Sequence, residues 1–303
     1  MPAAGKLLEW GRRRLRQAGV EAPAREARVL LQAVSGWPPE RLLAHPEAEL
    51  ETATAVAFVR RVERRRTGTP LHYLVGEREW AGLRLRVNPR VLIPRPETEL
   101  LLERALKLLA AGRRGAGLTW AADLGTGSGA LALALALRGG PGLRVLAVEA
   151  EAGALAVARW NAERLGVARR VRLVRADAAR GLAGLGKGRR GRAGARFLSL
   201  VVANPPYVAA AQAAELPREV RREPRRALLA GDGGAGPARR WAEAVRPWLR
   251  PGAWLLLETD EAAAARLAES LERLGYRRVR PGFDLAGRPR WVEASWPDGR
   301  ARG

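Results

Sequence analysis

The stretch from Thr119 to Arg138 constrains the fold of this chain more than any other. Thr119-Trp120-Ala121-Ala122-Asp123-Leu124 reads as a buried strand, Gly125-Thr126-Gly127-Ser128-Gly129 as a turn, and Ala130–Arg138 as the helix that follows. A glycine turn between strand and helix lets a ligand approach the backbone closely and aims the helix N-terminus at it. The alternation continues with strand Leu143–Val148, helix Ala152–Leu165 and strand Val171–Val174. Then come strand Phe197–Ala203, helix Ala238–Leu249, strand Trp254–Glu258 and helix Glu261–Leu274, with Arg277–Val279 and Trp291–Ala294 as a closing β-pair. This order predicts an α/β fold with a doubly wound, mainly parallel sheet. In such sheets ligands lie across the carboxyl ends of the strands.

Chemistry-bearing residues fall at those ends. Glu149 closes the second strand, where a carboxylate accepts hydrogen bonds from both hydroxyls of an adenosine ribose. Asp177 lies just past the third, in reach of an adenine amino group. Gly125-x-Gly127-x-x-Ala130 with Glu149 also satisfies a loose dinucleotide fingerprint. Against that reading, Asp123 puts a carboxylate immediately before the turn. It suits the cationic amino end of a methionine moiety and repels a pyrophosphate, so a sulfonium cofactor fits better. At the end of the strand Phe197–Ala203 stands Asn204-Pro205-Pro206-Tyr207. Two prolines cannot continue a sheet ladder, and Asn204, preceding one, is biased to an extended backbone. The corner is stiff. The Asn204 side-chain oxygen and the Pro205 carbonyl form a pair of acceptors able to grip both hydrogens of a planar –NH2 group. A plain proline-terminated turn is the alternative for these four residues taken alone.

Upstream, residues 1–70 read as a small helical bundle, including a long helix from Pro46 to Arg66 with Arg60, Arg61, Arg64, Arg65 and Arg66 on a solvated face. From Pro70 to Pro89 the period changes to two, and Trp80, Leu83, Leu85 and Val87 around Ala81-Gly82 predict a β-hairpin. The expected division is a helical domain at 1–70, a hairpin linker at 71–95 and an α/β domain at 96–303. Thr98 is the expected cap of the next helix. Two prolines bracket Arg95, and this arginine with Glu97 and Glu99 is placed to close over a ligand. The absence of cysteine excludes thiol nucleophiles and zinc thiolates, and His45 and His72 have no metal-ligand spacing, so no metal is expected. No run is long enough for a membrane span, and Trp10 is followed by Arg12–Arg14, unlike a signal peptide. A cytoplasmic protein is expected. The net charge of +23 suits an acidic partner, but only three of 54 basic residues are Lys, which looks like a whole-sequence Arg bias. The Gly/Arg-rich stretch 185–196 reads as a surface loop.

Five segments together resemble the release-factor glutamine methyltransferases, the PrmC/HemK family. They are Pro70-Leu71-His72-Tyr73 through Gly76-Glu77-Arg78-Glu79-Trp80, Val91-Leu92-Ile93-Pro94-Arg95-Pro96-Glu97-Thr98-Glu99, and Asp123 to Gly129. The last two are Asn204-Pro205-Pro206-Tyr207-Val208, and Glu223-Pro224 with Ala227-Leu228. Asn-Pro-Pro-Tyr is shared with adenine-N6 methylating enzymes, whereas the Ile-Pro-Arg-Pro-Glu-Thr-Glu segment is far more restricted. The resemblance implies a class I, Rossmann-like S-adenosylmethionine-dependent methyltransferase domain at 96–303 behind a small helical substrate-recognition domain at 1–70 and a hairpin linker at 71–95. It implies methylation of the side-chain amide of Gln in the Gly-Gly-Gln motif of class I peptide-chain release factors, by a monomer that requires no nucleic acid. Gly125, Thr126, Gly127, Ser128, Gly129, Glu149, Asp177, Ala178 and Asn204 would then contact the cofactor. Asn204, Pro205, Pro206 and Tyr207 would hold the glutamine, with Asn204, Pro205 and Tyr207 as the catalytic set. The chain departs from the family pattern at Ala178, where an aromatic is frequent, at Ser199, where Asp is frequent, at Leu257-Glu258-Thr259-Asp260, and in the length of the 186–196 loop. Competing readings are a ribosomal-protein glutamine methyltransferase, an adenine-N6 nucleic-acid methyltransferase and a non-catalytic basic binding module.

Overall fold

The computed structural model describes residues 1–112, 118–180, 182, 196–231 and 234–297. They form two compact units, Met1–Arg78 with Leu216–Arg222, and Glu79–Glu215 with Glu223 onward.

The first unit is helical: α1 (Ala4–Gln17), α2 (Pro23–Ser35), α3 (Pro39–Ala44), α4 (Thr52–Arg66) and α5 (Leu71–Val75). Leu7, Leu15, Leu30, Leu31, Leu42, Phe58 and Val62 build its core. The expected helix from Pro46 begins only at Thr52. Residues 46 and 47 instead form a turn, after which Glu49 bridges Ala3 beside the start of α1. There the carbonyls of Pro46 and Ala48 accept from Gly5 and Ala4 (2.7 and 2.9 Å), satisfying N–H groups that a helix start leaves open. The solvated basic face also needs correction at one position. Arg65 shares the inward stripe of Phe58 and Val62 and is only 8% exposed. It donates to both oxygens of Glu26 (2.5 and 3.0 Å) and pairs with Glu219 at 2.6 Å, fastening the 216–222 segment into this unit. Burial lowers the His72 pKa and Arg78 adds to the effect; the Arg78 guanidinium meets Nε2 at 2.9 Å and Nδ1 faces the Glu77 carbonyl.

Strands β1 (Glu77–Trp80) and β2 (Leu83–Arg86) form the expected hairpin. Ala81 and Gly82 both have positive φ (49° and 74°), the geometry that matches strand twist in a two-residue turn. The second unit continues with α6 (Glu97–Ala111), β3 (Thr119–Leu124), α7 (Ala130–Arg138), β4 (Leu143–Glu149), α8 (Ala152–Arg164), β5 (Val171–Arg175) and β6 (Leu198–Ala203). After these come β7 (Val208–Ala209), α9 (Arg225–Leu228), β8 (Leu229–Ala230), α10 (Gly236–Val245), β9 (Leu249–Glu258), α11 (Glu261–Arg273), β10 (Arg277–Phe283) and β11 (Pro289–Ser295). Seven strands pair in the order β10-β11-β9-β6-β3-β4-β5. The five from β9 to β5 are parallel, and β11 runs antiparallel between β9 and β10.

Because side chains alternate across a sheet, one face carries Ala122, Leu124, Val148, Ala203 and Leu257 under α10 and α11. The other carries Ala121, Val145, Val202 and Leu256 under α6 and α7. The chain lays β3, β4 and β5 outward in one direction, then returns to place β6 on the opposite side of β3. That reversal is the topological switch point, where a crevice opens at the strand ends.

Candidate active site

Register fixes which residues meet at the switch point. Leu124 pairs with Val148 on one side and Ala203 on the other, and Ala203 pairs with Leu257. The next residue of each strand is therefore Gly125, Glu149, Asn204 and Glu258, brought into one row by the parallel pairing. A cavity of about 200 Å³ opens above it. Its walls include Asp123, Gly125, Thr126, Gly127, Ser128, Glu149, Asp177, Ala178, Asn204 and Pro206. Gly129, Pro205 and Tyr207 do not line it. Gly129 is the residue before α7, Pro205 is buried, and Tyr207 starts the path into the short β7–β8 pair.

The glycine turn needs its first residue to be glycine. Gly125 has φ +69°, and a Cβ there would come within 2.6 Å of the Trp241 ring. Asp123 is buried and serves the turn. Its Oδ2 accepts from the Thr126 hydroxyl at 2.5 Å and from the Ala132 N–H at 3.1 Å, the latter in the first turn of α7. Burial raises its pKa to about 7, with Glu149 adding to the effect and the two hydrogen bonds opposing it. Glu149 holds the turn from the other side. One oxygen accepts from Gly127 N–H (2.9 Å) and the other from Glu151 N–H (3.0 Å), leaving one lone pair on each for a ligand. Behind the turn, the buried Asn161 of α8 exchanges hydrogen bonds with the backbone of Arg86 (2.8 and 3.1 Å) and donates to the Ser128 carbonyl at 2.8 Å.

On the far wall the Ile-Pro-Arg-Pro segment is clamped twice. Trp80 Nε1 donates to the Arg95 carbonyl at 2.7 Å. The buried Glu223 accepts from Ile93 N–H (3.0 Å) and from the Arg95 guanidinium (2.6 Å). Arg95 therefore binds a neighbouring segment of the protein, and Glu99 accepts from the Ala81 N–H at 3.1 Å. Thr98 is not the helix cap, since α6 already begins at Glu97 after Pro96. It is buried, and Asn204 Nδ2 donates to its hydroxyl at 3.2 Å. Thr98 in turn hydrogen-bonds Glu258, whose pKa burial raises to about 7. Burial also pushes the Tyr207 hydroxyl well above its ordinary range, with Glu258 adding to the effect.

Four carboxylates (Asp123, Glu149, Glu151, Asp177) and two arginines (Arg90, Arg226) line the cavity, and Arg226 pairs with Glu151. This donor set fits a cofactor with a cationic end and a free ribose, and it offers a pyrophosphate little beyond the turn itself. S-adenosylmethionine meets that description. Sequence reasoning missed Thr98, Trp241, Val91 and Leu92 as wall residues. The only signal for them was position, in a proline-rigid segment and on a helix facing the turn. The stretch 185–195 and residues 232–233 lie outside the described residues. Among the described residues there is no His/Cys/Asp/Glu cluster able to hold a metal, and no helix is long and apolar enough to cross a membrane.

Comparison with known proteins agrees with this geometry. Residues 6–76 match the PrmC N-terminal domain family. A release factor glutamine methyltransferase of Moorella thermoacetica is 41% identical over 281 residues, spanning 92% of this chain and 93% of that one. The protein of the same name from Deinococcus radiodurans is 38% identical over 289 residues, spanning 95% and 96%. Among solved structures, the hMettl16 catalytic domain in complex with the MAT2A 3'UTR hairpin 1 superposes with a TM-score of 0.52 at 17% identity, over 86% of this chain and 85% of that one. The human methyltransferase 10 domain containing protein gives 0.50 at 17% identity, over 72% and 89%. These two likenesses establish a methyltransferase fold and nothing finer. Identity over nearly its whole length makes this chain a member of the release factor glutamine methyltransferase family.

Proposed function

We propose that this chain methylates the side-chain amide of the glutamine in the Gly-Gly-Gln motif of class I peptide-chain release factors, using S-adenosylmethionine. Bound there, the cofactor would supply an electrophilic methyl on a cationic sulfur, with the neutral thioether as leaving group. Everything else falls to the protein. Glu149 and Asp177 would accept from the cofactor's ribose and adenine, Ala178 would adjoin the base, and the turn from Gly125 to Gly129 would hold the methionine portion. Asn204 Oδ1 and the Pro205 carbonyl accept the two N–H bonds of the glutamine, and Tyr207 packs on its side chain.

An amide nitrogen is a weak nucleophile because its lone pair is shared with the carbonyl. Holding it in line with the methyl is thus the main contribution, worth roughly 7–11 kcal/mol at best. The two acceptors also face the nitrogen as it becomes positive. The methylated nitrogen then gives up its proton readily, so no strong base is needed. The helical unit recognises the release factor, and the site works within one chain in the cytoplasm, without nucleic acid. The observation that carries this reading is the register Leu124↔Ala203, which sets Gly125 and Asn204 side by side at the switch point.

The test is a transfer assay with labelled cofactor and a release factor carrying Gly-Gly-Gln or Gly-Gly-Ala. Label should enter only the first. Incorporation into a ribosomal protein, or into RNA with steep salt dependence, would replace the proposed substrate.

A further inference from the structure

We infer that Thr98 and Glu258 are positioning residues that lock the Asn204 side chain with its oxygen, rather than its nitrogen, offered to the substrate amide. The inference deepens the proposed function and rests on it. An asparagine amide is nearly symmetric in shape, so its two orientations differ only in what each end bonds. Presented oxygen-first, Asn204 accepts an N–H of the glutamine. Presented nitrogen-first, it sets donor against donor, and the glutamine loses half of its grip.

The neighbouring residues remove that ambiguity. Glu258 is 3% exposed and follows Leu257, the register partner of Ala203, so it stands beside Asn204 on the adjoining strand. Its carboxylate lies within hydrogen-bonding reach of the Thr98 hydroxyl, and its Oε2 finds no partner among the described residues. Above its pKa of about 7 that carboxylate is ionised and only accepts, so there the single proton of the Thr98 hydroxyl is committed to it. The Thr98 oxygen is then left as an acceptor, and Asn204 meets it with Nδ2 at 3.2 Å. The planar amide carries Oδ1 on the other side of Cγ, and both Thr98 and Asn204 line the cavity. A buried acid therefore sets the direction of a two-bond chain whose far end is the substrate acceptor. The restricted segment that ends in Glu97-Thr98-Glu99 supplies the middle link, which gives its threonine a task unrelated to starting the helix.

The test compares Thr98→Val, Thr98→Ser and Glu258→Gln, each alone and combined with Asn204→Ala. Single-turnover transfer to release factor is measured with calorimetric binding of S-adenosylmethionine and thermal unfolding. Valine keeps the shape of threonine without its hydroxyl. Thr98→Val should slow transfer about 10- to 100-fold, the cost of a misaligned acceptor, with cofactor affinity within about twofold on the same scale. Thr98→Ser should restore most of the rate. Glu258→Gln, which can turn its own N–H toward Thr98, should behave like Thr98→Val. In the Asn204→Ala background neither change should slow transfer further. Full activity of Thr98→Val, or losses that multiply with that of Asn204→Ala, would overturn the inference while leaving the role of Asn204 intact. Normal transfer by Asn204→Ala alone would remove that role and the inference with it. If the valine variant does not fold, Glu258→Gln and Thr98→Ser decide by the same criteria.

Discussion

Asp123 titrates near neutrality because it is buried, and the direction of its pH effect follows from that. Its folded-state pKa of about 7 lies above the value of 3.8 expected when exposed. Between those values the folded chain holds a proton that the unfolded chain has released. The contribution to stability is complete in acid and is lost as pH rises through about 7. Glu258 contributes with the same sign. The ligand-free protein should accordingly gain stability as pH falls from 8 toward 5. Asp123→Asn, which still accepts from Thr126 and Ala132, should flatten that slope by an amount on the order of a few kcal/mol over the range. Urea midpoints for both proteins across pH measure it, and equal slopes would contradict it. Asn161 makes a second residue-scale case. Asn161→Ala leaves the buried Ser128 carbonyl and the backbone of Arg86 without their partner. The cost should be roughly 2–4 kcal/mol in chemical denaturation.

At the scale of elements, two segments carry the site and each can be broken alone. Gly125→Ala puts a methyl into Trp241 and a side chain at φ +69°. It should abolish measurable cofactor binding in calorimetry while the far-UV spectrum stays native. Glu223→Ala leaves the Ile93 N–H open and the half-buried Arg95 uncompensated. A loss of roughly 2–4 kcal/mol in stability should accompany it, together with a fall in transfer rate.

Elements were legible where their physics is local. Thr119–Leu124, Leu143–Glu149 and Leu198–Ala203 are apolar runs closed by glycine, an acid or proline, and the structure has them as strands within a residue or two. Residues 46–51 were not legible, because what holds them out of the helix is the open start of α1 more than forty residues earlier. Arg65 likewise looks solvated in a run of arginines. Its burial depends on Glu26 and Glu219, which only the folded chain brings to it. Thr98 carries an ordinary capping signal, and its actual partners come from the residue just past β6 and the end of β9.

For the molecule as a whole, sheet order turns scattered motifs into one site. Gly125, Glu149, Asn204 and Glu258 are far apart in sequence, yet parallel pairing in register sets them in a row. The crevice could be anticipated from strand–helix alternation alone. Which strands adjoin could not, because strand order is decided by how helices pack on both faces. The net charge of +23 takes no part in this geometry. The central claim is that Asn204 grips the glutamine amide next to the methyl donor. Asn204→Ala, followed by labelled methyl transfer to release factor with calorimetric binding of S-adenosylmethionine, tests it most directly. Transfer should fall by at least about a hundredfold, with cofactor affinity changed by no more than a few-fold. Transfer near the wild-type rate, or a loss explained wholly by weaker cofactor binding, would contradict it.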